Sequence, residues 1–196
     1  MKLLLVFLLL LSITKSFSQS SYQDSITSYI KNYVDKHEVV LAKDKKHLHF
    51  YPVDENFRIK GRFEKVDNSP WFIMTSSGVS KHMYRIYGKV HFNLHDTAIT
   101  LNIYQSQDLM QMTQYKDDLF IPFTDATSGI ETYEGGRYFD FTINDIKANT
   151  LIIDFNKAYN PYCAYVSNVY SCPIPPRENN LSVAIKAGEK AYDKAH

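Results

Sequence analysis

The chain of 196 residues carries 22 basic against 21 acidic side chains. At this length a single domain buries about 70% of its unfolded surface, so disulfides are not needed to replace a missing core. The near-balance of charge gives no electrostatic pull toward nucleic acid or an anionic membrane, and neither is an expected partner.

The N-terminus opens with Met-Lys, then runs apolar from Leu3 to Leu11, with small residues at Ser16 and Ser18. This is the pattern of a secretory signal peptide cut after Ser18; the apolar run falls well short of the roughly 20 residues that span a bilayer. No cysteine follows the cut, which argues against a lipid anchor there. The expected organisation is a signal peptide over 1–18, a helix and connector over 19–47, and one β-rich domain over 48–196. Cleavage removes Lys2 and Lys15 and no acid, leaving a slight acidic excess. Periplasmic or secreted localisation follows, with no membrane span in the mature chain.

Past Ser21, residues Tyr22, Ile26, Tyr29, Ile30 and Tyr33 recur at helical spacing and predict an amphipathic helix over about 22–37. Its most economical role is to close one face of a sheet. From His47 the period becomes two. Leu48 and Phe50 predict a first short strand, and Phe57, Ile59 and Phe63 a second. Ile86, Val90, Phe92 and Leu94 form one arm of a hairpin turning at His95-Asp96, and Ile99, Leu101 and Ile103 form the other. Residues 107–116 read as a loop or short helix. Strands follow at Leu119–Phe123, 137–143 and 149–156, and Leu181, Val183 and Ile185 alternate as a last strand. With no strand–helix rhythm and no repeat, the predicted fold is mainly β: an antiparallel β-sandwich or open barrel with one N-terminal α-helix. The 15 Tyr and 12 Phe fit this architecture, where flat rings pack on pleated faces.

Two polar clusters are the candidate sites. One is the glycine-flanked loop with Asp125, Thr127, Ser128, Glu131, Thr132, Tyr133 and Arg137. The other is Asp154, Asn156, Tyr159 and Asn160 at a strand end. If strands 137–143 and 149–156 pair as a hairpin, both clusters meet at one edge of the sheet. Asp154, Glu131 and Arg137 are then the catalytic candidates, two carboxylates and an electrophilic partner. Asp125, Thr127, Ser128, Tyr133, Asn156, Tyr159 and Asn160 are the ligand-binding ones. The competing role is a brace, with Arg137 paired to a carboxylate and loop N–H groups capped. No Gly-x-Ser-x-Gly elbow supports a serine hydrolase. Cys163 and Cys172 read as a disulfide in an exported chain. Zinc ligation, the alternative, lacks histidines at ligand spacing nearby. No cofactor or metal is specified.

Thr124-Asp125-Ala126-Thr127-Ser128-Gly129, Glu131-Thr132-Tyr133 and Gly136-Arg137-Tyr138 make one ordered block. Asp154-Phe155-Asn156-Lys157-Ala158-Tyr159-Asn160-Pro161 with Cys163-Ala164-Tyr165 makes another, and Cys172-Pro173, Glu178-Asn179 and Ala187-Gly188-Glu189-Lys190 complete the set. Over about residues 48–190 the chain resembles the domain of unknown function 1684 family. The resemblance implies that the loop, the Asp-Phe-Asn strand and the cysteine segment form one unit, and it carries no reaction. Three functional expectations stand together: a binding protein for a small polar ligand or ion, a hydrolase-type enzyme, and a structural envelope protein.

Overall fold

The computed structural model describes residues 21–194; the predicted signal peptide lies outside them. Helix α1 covers residues 21–36. Seven strands follow: β1 (Arg58–Lys65), β2 (Phe72–Met74), β3 (His82–Leu94), β4 (Thr97–Ser106), β5 (Asp118–Phe123), β6 (Arg137–Thr142) and β7 (Thr150–Asp154). A short helix α2 (Gln107–Met110) lies between β4 and β5. The strands make one antiparallel sheet in the order β6-β5-β4-β3-β1-β7, with β2 paired to β3. The sheet curls into an open half-barrel.

Strand β3 is the axis of the curl. Its 13 residues pair with β4 along one side. On the other side they pair with β2 (Met74 opposite His82) and then with β1 (Phe63 opposite Val90). β1 and β2 are thus one strand interrupted at 66–71. The β3–β4 register also shifts between Ile86 and Gly88, and a bulge of this kind adds twist and bends the strand. Gly88 is needed there, because a Cβ would lie 2.4 Å from the Phe63 ring. The β3–β4 turn lacks glycine as the sequence indicated, and His95 takes φ 51° to make it.

The concave face holds the main core, built from the alternating residues of every long strand. Phe123 stacks on Phe139 at 5.0 Å, and Phe155 closes on both rings. The convex face carries a smaller aromatic core of Met74, Tyr84 and Tyr104, flanked by Phe120. Asn179 is fully buried against β4 and β5; it accepts from Asn102 N at 2.8 Å and donates to the carbonyls of Asn102 and Pro122.

Three expectations are corrected. Residues 48–50 do not form a strand: Phe50 makes one bridge, to Glu189. Residues 181–185 keep the predicted alternation of burial but join no ladder. The hairpin of 137–143 with 149–156 does not form. β6 pairs with β5 and β7 pairs with β1, so the two strands are the opposite ends of the sheet. Alternation places side chains on faces but says nothing about which strand a face adjoins; here β6 took the strand before it and β7 the first strand of the sheet.

Candidate functional site

The loop after β5 is built on Asp125. Its Oδ1 accepts from Thr127 N (2.8 Å), Thr127 Oγ1 (2.6 Å) and Ile185 N (3.1 Å). Thr127 reaches on to the Thr132 hydroxyl at 2.9 Å, and Ser128 Oγ accepts from Asp125 N. Gly136 turns the chain into β6 with φ 87°, where a Cβ would sit 2.6 Å from the Phe123 carbonyl. Arg137 then points inward, fully buried, and pairs with Asp125 Oδ2 at 2.8 Å. Nη2 also donates to the Ile185 carbonyl (2.9 Å) and Nη1 to those of Ala187 (2.5 Å) and Glu189 (3.2 Å), while the buried Nε has no hydrogen-bond partner among the described residues. This explains the missing last strand: the arginine fork takes the carbonyls that a neighbouring strand would have used. Both side chains of the pair are sealed from solvent.

Glu131 lies at the surface of the same loop. Lys186 at 2.9 Å and the Tyr51 hydroxyl at 3.1 Å hold it, and both depress its carboxyl pKa, the lysine most. Tyr133 packs beside the Val40, Leu48 and Tyr165 cluster. Asp154, at the end of β7, has different partners. It accepts from the Tyr22 hydroxyl of α1 at 3.0 Å and from the backbone and side-chain N–H groups of Asn156. Asn156 is buried, and its amide exchanges hydrogen bonds with the backbone of Asp54. Asn160 donates from its backbone to Glu189 at 2.8 Å and from its side chain to the Lys190 carbonyl.

The predicted residues therefore separate into three groups. Asp125, Thr127, Ser128 and Arg137 form one hydrogen-bonded unit, which reaches Asn160 through the segment 185–190. Glu131 is tied to that segment through Lys186. Asp154 and Asn156 form a third unit, tied to α1 and to the chain before β1. Among the described residues no hydrogen bond or ion pair joins the side chains of Asp154, Glu131 and Arg137 to one another. The pair at Cys163 and Cys172 is a disulfide. Among the described residues no group of three or more His, Cys, Asp or Glu is arranged to hold a metal ion.

Between the two ends of the sheet lies a cavity of ≈ 450 Å³, lined by Phe139, Asp140 and Phe141 of β6, by Leu151–Asp154 of β7, and by Tyr29, Arg58, Asp145, Lys157 and Tyr159. The strand order leaves the far edges of β6 and β7 without a strand neighbour, apart from one bridge between Tyr138 and Tyr159. α1 crosses here, presenting Tyr22, Tyr29 and Tyr33. Arg58 and Lys157 make no ion pair within 4 Å among the described residues; each stands over a tyrosine of α1, Tyr22 at 5.6 Å and Tyr29 at 5.2 Å. Asp140 is open to the cavity and accepts from the Tyr159 hydroxyl. Loss of bulk solvation in the recess pushes its carboxyl up to about 6, with the charge of Asp118 adding to the rise and the Tyr159 bond opposing it.

Sequence reasoning identified Asp154 and Tyr159 of this lining and missed Asp140, Arg58 and Lys157. The signal for Asp140 was its place between Phe139 and Phe141 on the face away from the core, but a polar residue there reads as ordinary alternation. Also missed was Glu189, which is fully buried. It accepts from the hydroxyls of Tyr165 (2.7 Å) and Tyr33 (3.2 Å) and from Asn160 N, and burial raises its carboxyl to about 7.

A curled antiparallel half-barrel sheet with one N-terminal helix defines a class of mainly β domain. The chain belongs to the family Protein of unknown function (DUF1684), which matches residues 43–190. It is similar in fold to an uncharacterised protein of Haloarcula marismortui solved by solution NMR. The TM-score is 0.67 at 22% identity, covering 91% of this chain and 98% of that one. No curated protein matches.

Proposed function

We propose that this chain is an exported protein that binds a small polar ligand carrying an anionic group in the cavity between β6 and β7. The observation that carries this reading is the pairing state of the lining: Arg58 and Lys157 face the cavity without a carboxylate partner within 4 Å among the described residues. Two such cations offer an anionic group charge-assisted hydrogen bonds, while Asp140, Asp145 and Asp154 of the same lining accept from hydroxyl or amine groups elsewhere on the ligand. Export is supported by the N-terminal pattern of Leu3–Leu11, Ser16 and Ser18. The disulfide is compatible with an oxidising compartment. The brace reading for Asp125 and Arg137 is supported by their complete burial and by the guanidinium bonds to the Ile185, Ala187 and Glu189 carbonyls.

The test is a thermal-shift and calorimetric screen of the mature protein against small carboxylates, phosphate esters and acidic sugars. A binding compound should lose about tenfold or more in affinity in Arg58→Ala, since a hydrogen bond to a charged group is worth roughly 1.5–3 kcal/mol. Melting of the unliganded variant should stay within a degree or two of wild type. Failure of the whole screen, or equal affinity in Arg58→Ala and Lys157→Ala, rules the reading out.

A further inference from the structure

A second recess lies on the convex face, on the other side of Asp140 and Tyr159 from the first cavity. It has a volume of ≈ 310 Å³, and its walls include Tyr84, Phe120, Tyr138 and Tyr115. The rings form a continuous series. Tyr84 meets Phe120 at 5.3 Å, Phe120 meets Tyr138 edge-on at 5.9 Å, and Tyr138 meets Tyr159 edge-on at 6.0 Å. The Tyr138 hydroxyl is spent on the Pro173 carbonyl, so this residue offers its ring rather than its polar end.

The charge of the recess is one-sided. Asp118 and Asp140 both line it, and no lysine or arginine does. The strand register explains how the two acids come together. Asp140 stands opposite Phe120, and Asp118 lies two residues before Phe120 on β5, so both carboxylates share a face with the ring between them. Neither makes an ion pair within 4 Å among the described residues. His82, two residues before Tyr84 on β3, is paired with Asp108 at 2.7 Å.

Aromatic faces carry negative electrostatic potential, and two carboxylates without a counter-cation deepen it. We infer that the convex recess is a binding site for an organic ammonium, a cation bearing alkyl groups. Its methyl or methylene shell rests on the Tyr84, Phe120, Tyr138 and Tyr115 rings, and its charge is met by Asp118 and Asp140. A hydrated inorganic cation would leave the rings unused, and an anion would be repelled by both acids. This site is independent of the first cavity apart from the shared wall of Asp140 and Tyr159, and Asp118 and Tyr115 belong to it alone.

The experiment titrates the mature protein with choline and with benzyltrimethylammonium, followed by calorimetry and by shifts of the ring and backbone NMR signals of residues 115–120. The control is 3,3-dimethylbutanol, the uncharged isostere of choline. The expected result is saturable binding of both cations, at least tenfold weaker binding of the alcohol, and about tenfold loss of cation affinity in Asp118→Asn. Tyr115→Ala, a change at an exposed ring, should weaken benzyltrimethylammonium several-fold, and circular dichroism of both variants should match wild type. Equal binding of alcohol and cation, no saturation with either cation, or unchanged affinity in a folded Asp118→Asn would each overturn the assignment. Arg58→Ala should leave choline binding intact, which keeps this result separate from the fate of the first cavity.

Discussion

Replacing Arg137 by methionine should be among the most damaging single changes in this protein. Methionine fills much of the same volume, so the effect isolates hydrogen bonds and charge from packing. Two losses follow from the contacts. Asp125, fully buried, loses its counter-charge at 2.8 Å, and stranding one member of a buried pair costs about 3–5 kcal/mol. The carbonyls of Ile185, Ala187 and Glu189 lose their guanidinium donor, and each buried acceptor left unmade adds on the order of 1 kcal/mol. Partial relaxation of the terminal segment keeps these from adding in full. A loss of about 5 kcal/mol is expected, comparable with the whole stability of many domains. Urea denaturation followed by far-ultraviolet circular dichroism measures it. Hydrogen exchange should show amides 185–191 opening first, since this segment has no ladder of its own. The companion Asp125→Asn keeps the acceptor at Oδ1 and removes the charge, so a double-mutant cycle should return a coupling of about 2 kcal/mol. A loss below about 1 kcal/mol in Arg137→Met, with unchanged protection of 185–191, would refute the brace.

Glu189 predicts the pH dependence of stability. Its folded pKa of about 7 lies above the ordinary 4.5 because of burial. The folded state therefore binds more protons than the unfolded one between these values, and stability falls as pH rises through that window. The contribution is fully present below pH 4.5 and lost above 7, on the order of 3 kcal/mol in all. Glu189→Gln should flatten the difference in unfolding free energy between pH 4.5 and 7.5; a variant that keeps the wild-type slope would show that another group controls it. Reduction of Cys163–Cys172, which closes a separation of 9 residues, should cost about 2.5 kcal/mol on the chain-entropy model, read as the shift in denaturation midpoint with and without reductant. No shift would mean that the segment is equally constrained in the unfolded chain.

Local signals in the sequence located most of the strands. Alternation at 57–64, 85–94 and 98–103 placed β1, β3 and β4, and the apolar run at 119–123 placed β5. The His95-Asp96 turn joined β3 to β4, the pair linked by the tightest turn. The tyrosine spacing at 22, 29 and 33 placed α1, and two cysteines in one short segment placed the disulfide. Each of these depends on residues within a dozen positions of one another, and that is the range over which a periodic pattern carries information.

Tertiary structure alone chose the long-range partners. β6 and β7 have the alternation of a hairpin, yet their hydrogen bonds go to β5 and β1, and the cavity exists because of that choice. Arg137 was visible as a candidate; that its fork would replace a strand and hold residues 185–189 was not, because carbonyl acceptors have no sequence signature. Glu189 and Tyr33 of α1 meet only when helix and tail pack against the open barrel, and Asp140 gains its raised pKa from desolvation and from Asp118 on the neighbouring strand. Periodicity assigns a residue to a face, whereas burial, partner and charge state depend on what the rest of the chain brings to that face.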